Sequence, residues 1–121
     1  MDELGIMVYG YSRDRAEKIR DSLCDLTGRR VVLFSATGRE DEVIEKIIGG
    51  QAGGEYADGP DPVLMFLGFS DIEISDAIDS FPSGGPLPRP IFCGLTEDNC
   101  SWTFGELLEH LIEERKKFTG K

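Results

Sequence analysis

Two stretches of the chain match each other: residues 6–23, opening Ile6-Met7-Val8-Tyr9-Gly10-Tyr11-Ser12, and residues 64–81, opening Leu64-Met65-Phe66-Leu67-Gly68-Phe69-Ser70. Met7 and Met65, Gly10 and Gly68, Ser12 and Ser70, Asp21 and Asp79, and Ser22 and Ser80 are identical across the pair. The correspondence continues from Val31-Val32-Leu33-Phe34 with Thr37 to Ile91-Phe92-Cys93-Gly94 with Thr96, at nearly the same offset. The chain therefore reads as one strand-helix-strand-helix unit used twice. The two copies cover roughly 4–48 and 62–117, and the Gly-rich stretch 49–61, which has no periodicity, reads as a mobile connector between them.

Within the first copy a strand is predicted at 4–9. The helix after it carries Ala16, Ile19, Leu23 and Leu26 on one stripe and ends at Gly28. A second strand, 30–34, leads to a short helix with Val43, Ile44, Ile47 and Ile48, for which Thr37 and Glu40 form a capping box. The third strand, 62–67, is apolar at nearly every position, as a strand buried on both faces must be. Ser70 and Glu73 make a second box for a helix carrying Ile74, Ala77, Ile78 and Phe81, which Pro82 stops. After a turn-rich loop at 82–90 come a fourth strand, 91–95, and a last helix from Phe104 to about Phe118. That helix shows Leu107, Leu108, Leu111, Ile112 and Phe118 on one side and ends in basic Arg115-Lys116-Lys117.

Four strands, each followed by a helix, imply an α/β fold: a four-stranded parallel doubly wound sheet in the order 2-1-3-4, with two helices on each face. The first and last helices are expected on one face and the middle two on the other. Such a sheet has a switch point between its first and third strands, where ligands lie outside the carboxyl ends. Both Gly-aromatic-Ser turns would meet there.

At 121 residues the chain is one domain, 1–121, large enough for a core without staples. Asp and Glu outnumber Lys and Arg 23 to 13, a net charge of -10 that repels nucleic acid and anionic bilayers. The longest apolar run, Val63 to Phe69, is too short to span lipid, and the N-terminus has no basic patch before an apolar core. A cytoplasmic protein is expected, with Cys24, Cys93 and Cys100, odd in number and widely spaced, as reduced thiols. Between Lys46 and Arg89 there are seven acidic residues and no basic one, whereas the first helix carries Arg13, Arg15, Lys18 and Arg20. With those helices on opposite faces, the molecule would have an acidic side and a mixed side.

Gly10-Tyr11-Ser12-Arg13 and Gly68-Phe69-Ser70 are the first candidates for a site. Each is a turn and cap, and two helix N-termini aimed into one crevice would also hold a phosphate or carboxylate. Arg13 and Arg15 oppose the dipole of their own helix, a repulsion that an anion at Ser12 would relieve. Ser35-Ala36-Thr37-Gly38-Arg39 resembles a hydroxyl-rich phosphate loop but is accounted for as a turn. In the loop 96–103, Thr103 with Glu106 forms a capping box, which makes Trp102 a staple on Leu107 or, alternatively, an aromatic anchor for a partner. His110 reads as a solvated flank residue, and Cys93 with Cys100 has no recognised metal or dithiol spacing.

The pattern Val63-Leu64-Met65-Phe66-Leu67-Gly68-Phe69-Ser70, then Pro90-Ile91-Phe92, Leu95-Thr96, Asn99, Trp102-Thr103 and Glu106-Leu107-Leu108 resembles a microbial family catalogued as a domain of unknown function (family 3783). The resemblance covers roughly 62–117 and implies no activity and no catalytic residues. Thr96, Asn99 and Trp102 are the positions it singles out. With no nucleophile, base or metal set assembled, the expectation is a non-catalytic interaction or regulatory module that needs no cofactor. It would contact a protein partner, or a second copy through a sheet edge, with the crevice and the Trp102 loop. The alternative is a binding protein for a phosphorylated or carboxylated metabolite.

Overall fold

The computed structural model describes residues 4–50, 54–81 and 89–119, the last of these with side chains to Arg115. The expectations placed on 51–53 of the connector, on 82–88 of the turn-rich loop including Pro82, and on the side chains of Lys116, Lys117 and Phe118 lie outside the described residues. The elements follow in the order β1 (Leu4–Tyr9), α1 (Arg13–Thr27), β2 (Val31–Ser35), α2 (Ile44–Gly49), β3 (Val63–Leu67), α3 (Asp71–Ser80), β4 (Ile91–Gly94) and α4 (Phe104–Thr119), with a 3-10 turn at Asn99–Ser101 before the last helix.

The sheet order is β2-β1-β3-β4, as the hydrophobicity of the strands implied. Its direction is not as expected. β1 and β2 are parallel, and so are β3 and β4, but β1 and β3 pair antiparallel, Gly5 opposite Leu67 and Tyr9 opposite Val63. The fold is thus α/β with a mixed sheet rather than a parallel doubly wound one. Apolar residues at every position of β1 and β3 report helices on both sides of the sheet. They carry no information about strand direction.

The route of the chain between β2 and β3 explains the direction. Described residues of the connector cross the carboxyl ends of β2 and β1: the Ser35 hydroxyl donates to the Glu55 carbonyl, and Gly59 N–H donates to the Gly10 carbonyl at 3.0 Å. Pro62 then sits against Gly10, where a Cβ on Gly10 would come within 3.0 Å of Pro62 Cα. The chain enters β3 beside the finish of β1 and must run back along it.

Helix placement follows. Leu4, Ile6, Val8, Val31, Leu33, Leu64 and Phe66 form one core layer with Ala16, Ile19 and Leu23 of α1 and Ala77 of α3. Met7, Val63, Met65 and Leu67 point the other way, onto Ile44 and Ile47 of α2 and Phe104, Leu107 and Leu111 of α4. So α1 and α3 share one face and α2 and α4 the other, instead of the expected pairing of first with last. Reversing the second half also reverses the direction in which its crossover steps. Two crossovers of the same hand then put their helices on the same side. The acidic α3 and the mixed α1 are therefore neighbours, tied by an ion pair from Arg29 to Glu73 at 2.8 Å, and the molecule does not divide into the acidic and mixed sides expected.

On the α2/α4 face the two halves meet through backbone. Ile44 N–H donates to Trp102 C=O at 2.9 Å and Phe104 N–H to Glu42 C=O at 3.0 Å, on either side of a bridge between Val43 and Thr103. This pairing displaces the expected Thr37–Glu40 capping box. α2 starts only at Ile44, with Val43 as an N-cap that has no side-chain bond, because the turn at 40–42 and Val43 are bonded through backbone to the start of α4. The other boxes form as read. Ser70 and Glu73 exchange bonds of 2.9 and 3.2 Å, and Thr103 and Glu106 do the same.

Candidate functional site

The two Gly-aromatic-Ser turns lie at opposite ends of the sheet. Because β1 and β3 are antiparallel and register places Tyr9 opposite Val63, Gly10 lies beyond one end and Gly68 beyond the other. Both glycines have positive φ, 83° and 82°, so each turn has the backbone that its glycine permits. The crevice expected between them is absent from this architecture, since a shared rim requires parallel strands.

At the first turn the chain supplies its own anion. Ser12 caps α1 by accepting from Arg15 N–H at 3.4 Å, and its own N–H donates to Asp58 Oδ1 at 3.0 Å. The same oxygen takes Arg15 Nη1 at 3.0 Å. Asp58, delivered by the connector, thus sits where a carboxylate offsets both the helix dipole and the arginine. Arg13 lies over the Tyr56 ring, 5.3 Å from its centroid, a cation–π contact with the same connector. Tyr11 is fully buried in the core beneath, and that burial raises its phenol pKa well above the usual value against a lowering influence from Arg15. The segment 54–61, expected to be mobile, is held at five of its eight positions: Glu55, Tyr56, Asp58, Gly59 and Asp61, the last paired with Arg115.

At the second turn Phe69 packs edge-on against Phe66, ring centroids 5.0 Å apart. Ser70 donates its N–H to Glu73, and this bond, followed by the Arg29 ion pair, holds the Glu73 carboxyl below its ordinary range. Both helix N-termini are therefore capped from within the chain.

Thr96 and Asn99 build a third turn. Thr96 N–H donates to Asn99 Oδ1 at 2.9 Å, Asn99 N–H donates back to Thr96 Oγ1 at 3.0 Å, and Asn99 Nδ2 donates to Gly94 C=O at 3.1 Å. Asn99 is 8% exposed, so its side chain is committed to shaping the backbone that carries Trp102 out of β4. Trp102 is half-buried against the α2/α4 core, consistent with the staple reading, and its indole stacks on His110 with centroids 4.6 Å apart and planes 22° apart. Glu106 and Glu109 complete a small cavity of about 230 Å³ around this pair. His110 is exposed, as read, but its ring is fixed by Trp102. The available signal was the staple itself, which lays an N′ residue along the first turns of its helix.

Sequence reasoning missed Asp58, Arg29 and the His110 stack. Asp58 lies outside any periodic pattern, and only a three-dimensional return of the connector brings it to α1. The three cysteines are free; burial pushes the Cys93 thiol up to about 12, and Cys100 Sγ donates to Glu97 C=O. Among the described residues no group of three or more His, Cys, Asp and Glu could hold a metal ion, and no helix is long and apolar enough to cross a membrane. A more apolar cavity of about 350 Å³ opens between α1 and α3, lined by Ile19, Leu23, Leu26, Ala77 and Phe81 among others.

These features define a small α/β protein with a mixed four-stranded sheet and helix pairs on both faces, whose turn residues are used largely in backbone caps. Residues 62–118 match the family model described as Domain of unknown function (DUF3783). The match runs from the entry of β3 into the last turns of α4 and bears out the resemblance carried by Thr96, Asn99 and Trp102. No curated protein and no solved structure matches the chain.

Proposed function

We propose that the protein is a non-catalytic interaction module of the cytoplasm, with its contact surface centred on Trp102. The observation that carries this reading is a contrast among the candidate residues. Ser12, Ser70, Thr96 and Asn99 have their polar side-chain atoms bonded to backbone, whereas the Trp102 indole, with His110, borders an open cavity. Thr96 and Asn99 then hold the presenting loop rather than touch the partner. An aromatic side chain held on a rigid turn loses little conformational entropy when it is covered, which is why such residues anchor interfaces.

The metabolite-anion reading is not kept. It required both Gly-aromatic-Ser turns at one rim, and Asp58 already occupies the position of its anion. The equivalence of the two halves is part of the proposal: Met7 and Met65, identical in the matched stretches, are also direct cross-strand partners, as two copies of one unit facing each other would place them. The test is affinity capture from an extract of the source cells with the wild-type chain and Trp102→Ala, followed by rebinding of the captured protein in purified form. The affinity is expected to fall at least tenfold in the variant while circular dichroism stays unchanged. Equal affinities for the two would overturn the assignment.

A further inference from the structure

The cavity beside Trp102 is lined by the stacked indole–imidazole pair and by Glu106 and Glu109, which bring carboxylates. An indole face carries negative potential. Glu106 is fixed there because one of its oxygens accepts the Thr103 N–H at 2.9 Å. The two carboxylates attract a cation, and an indole face does the same. The positive end of α4 does not cancel this: the dipole's influence fades within the first turn, where Glu106 offsets it, and Glu109 and His110 belong to the second turn. At about 230 Å³ the space is below the range of pockets for whole small molecules and suits one side chain. The net charge of -10 draws cationic partners toward the chain at long range.

Resting on the reading of this surface as an interaction site, we propose that the cavity takes an arginine side chain of a protein partner. Its guanidinium would lie against the indole–imidazole pair with Glu106 and Glu109 as its carboxylates. Arginine rather than lysine fits because its plane is weakly hydrated, stacks on aromatic rings and forms paired bonds to carboxylates.

Trp102 is the only tryptophan, so its emission reports on the cavity without a label. The full chain is titrated with a capped Gly-Gly-Arg-Gly-Gly peptide and with its citrulline and lysine analogues. Citrulline keeps the shape of arginine and removes the charge. A saturable change in emission is expected, with binding of the arginine peptide at least fivefold tighter than that of either analogue. The preference disappears in the double variant Glu106→Gln/Glu109→Gln, whose side-chain amide still accepts the Thr103 N–H and so retains the capping box. It persists in Asp76→Asn/Asp79→Asn, which removes the same charge from exposed positions of α3. Equal binding of the arginine and citrulline peptides, tighter binding of the lysine peptide, or equal loss in both double variants would each overturn the assignment. Partner capture that depends on Trp102 without any arginine preference removes the ligand and leaves the interaction surface. Arginine preference with capture independent of Trp102 does the reverse.

Discussion

Replacing Asp58 by Ala should measure how strongly the connector secures the start of α1. The variant loses two bonds to one carboxylate oxygen, from Ser12 N–H and from Arg15 Nη1, each 3.0 Å. The Asp58 and Arg15 side chains are 52% and 36% exposed, so solvent screens the pair and it contributes only about 0.2–1 kcal/mol. A carboxylate at a helix N-terminus adds about 0.3–1 kcal/mol, and water can replace the acceptor for an exposed Ser12 N–H. The sum is about 0.5–2 kcal/mol. For a chain of 121 residues this lowers the thermal midpoint by about 2–8 °C. Urea and thermal unfolding of wild type, Asp58→Ala, Asp58→Asn, Arg15→Ala and the Asp58→Ala/Arg15→Ala double variant separate the parts. Asn keeps an acceptor without the charge and should lose roughly half as much. The double-mutant cycle should show coupling of about 0.5 kcal/mol that shrinks in molar salt. An Asp58→Ala midpoint equal to wild type, or the same loss with and without Arg15, would refute the account of this carboxylate as the anion at α1.

Gly10→Ala forces an L residue to φ 83° with its Cβ 3.0 Å from Pro62 Cα and should cost about 2–3 kcal/mol in urea unfolding. Gly28→Ala, at φ 69° with open space around it, should cost about 1 kcal/mol. Asn99→Ala leaves Thr96 N–H and Gly94 C=O without their partner and should lower stability by about 2 kcal/mol; a change below about 0.5 kcal/mol contradicts the role given to this side chain. Because the Glu73 carboxyl is held below its ordinary value in the folded chain, its contribution is present above the unfolded pKa and is lost as pH falls through the folded one. Stability of Glu73→Gln, followed by urea midpoints from neutral to acid pH, should therefore decline less steeply than that of wild type. Cys93, with its thiol pushed up to about 12, should resist iodoacetamide at pH values where the same residue in urea reacts readily, as followed by peptide mass mapping.

Much of the architecture was legible because it rests on short-range patterns. Ala16, Ile19 and Leu23 marked the buried stripe of α1, Gly28 its left-handed end, and Ser70-Glu73 and Thr103-Glu106 the starts of α3 and α4. The strand order was legible too, since only central strands are as apolar as β1 and β3. What escaped was set by contacts between distant parts of the chain. Direction across the β1–β3 seam depends on whether the connector crosses the rim or returns along a face, and no residue of 54–61 announces that choice. The start of α2 was misplaced because backbone pairing of Glu42 and Ile44 with Phe104 and Trp102 outweighed a local cap at Thr37, whose hydroxyl is left buried without a partner. The candidate turns were found as turns. Their expected union into one crevice failed with the strand direction, whereas the Trp102 loop needed only its own segment and α4 to be recognised.

The seam between β1 and β3 has a further consequence for assembly. Each half offers the other a bare strand edge and a helix start, and nothing in those contacts requires the two to come from one polypeptide. Two molecules that exchanged halves would recover every contact along the seam. Shortening 54–61 until it no longer spans the rim is expected to favour such interlocked pairs, a doubling that a measurement of solution mass reads directly.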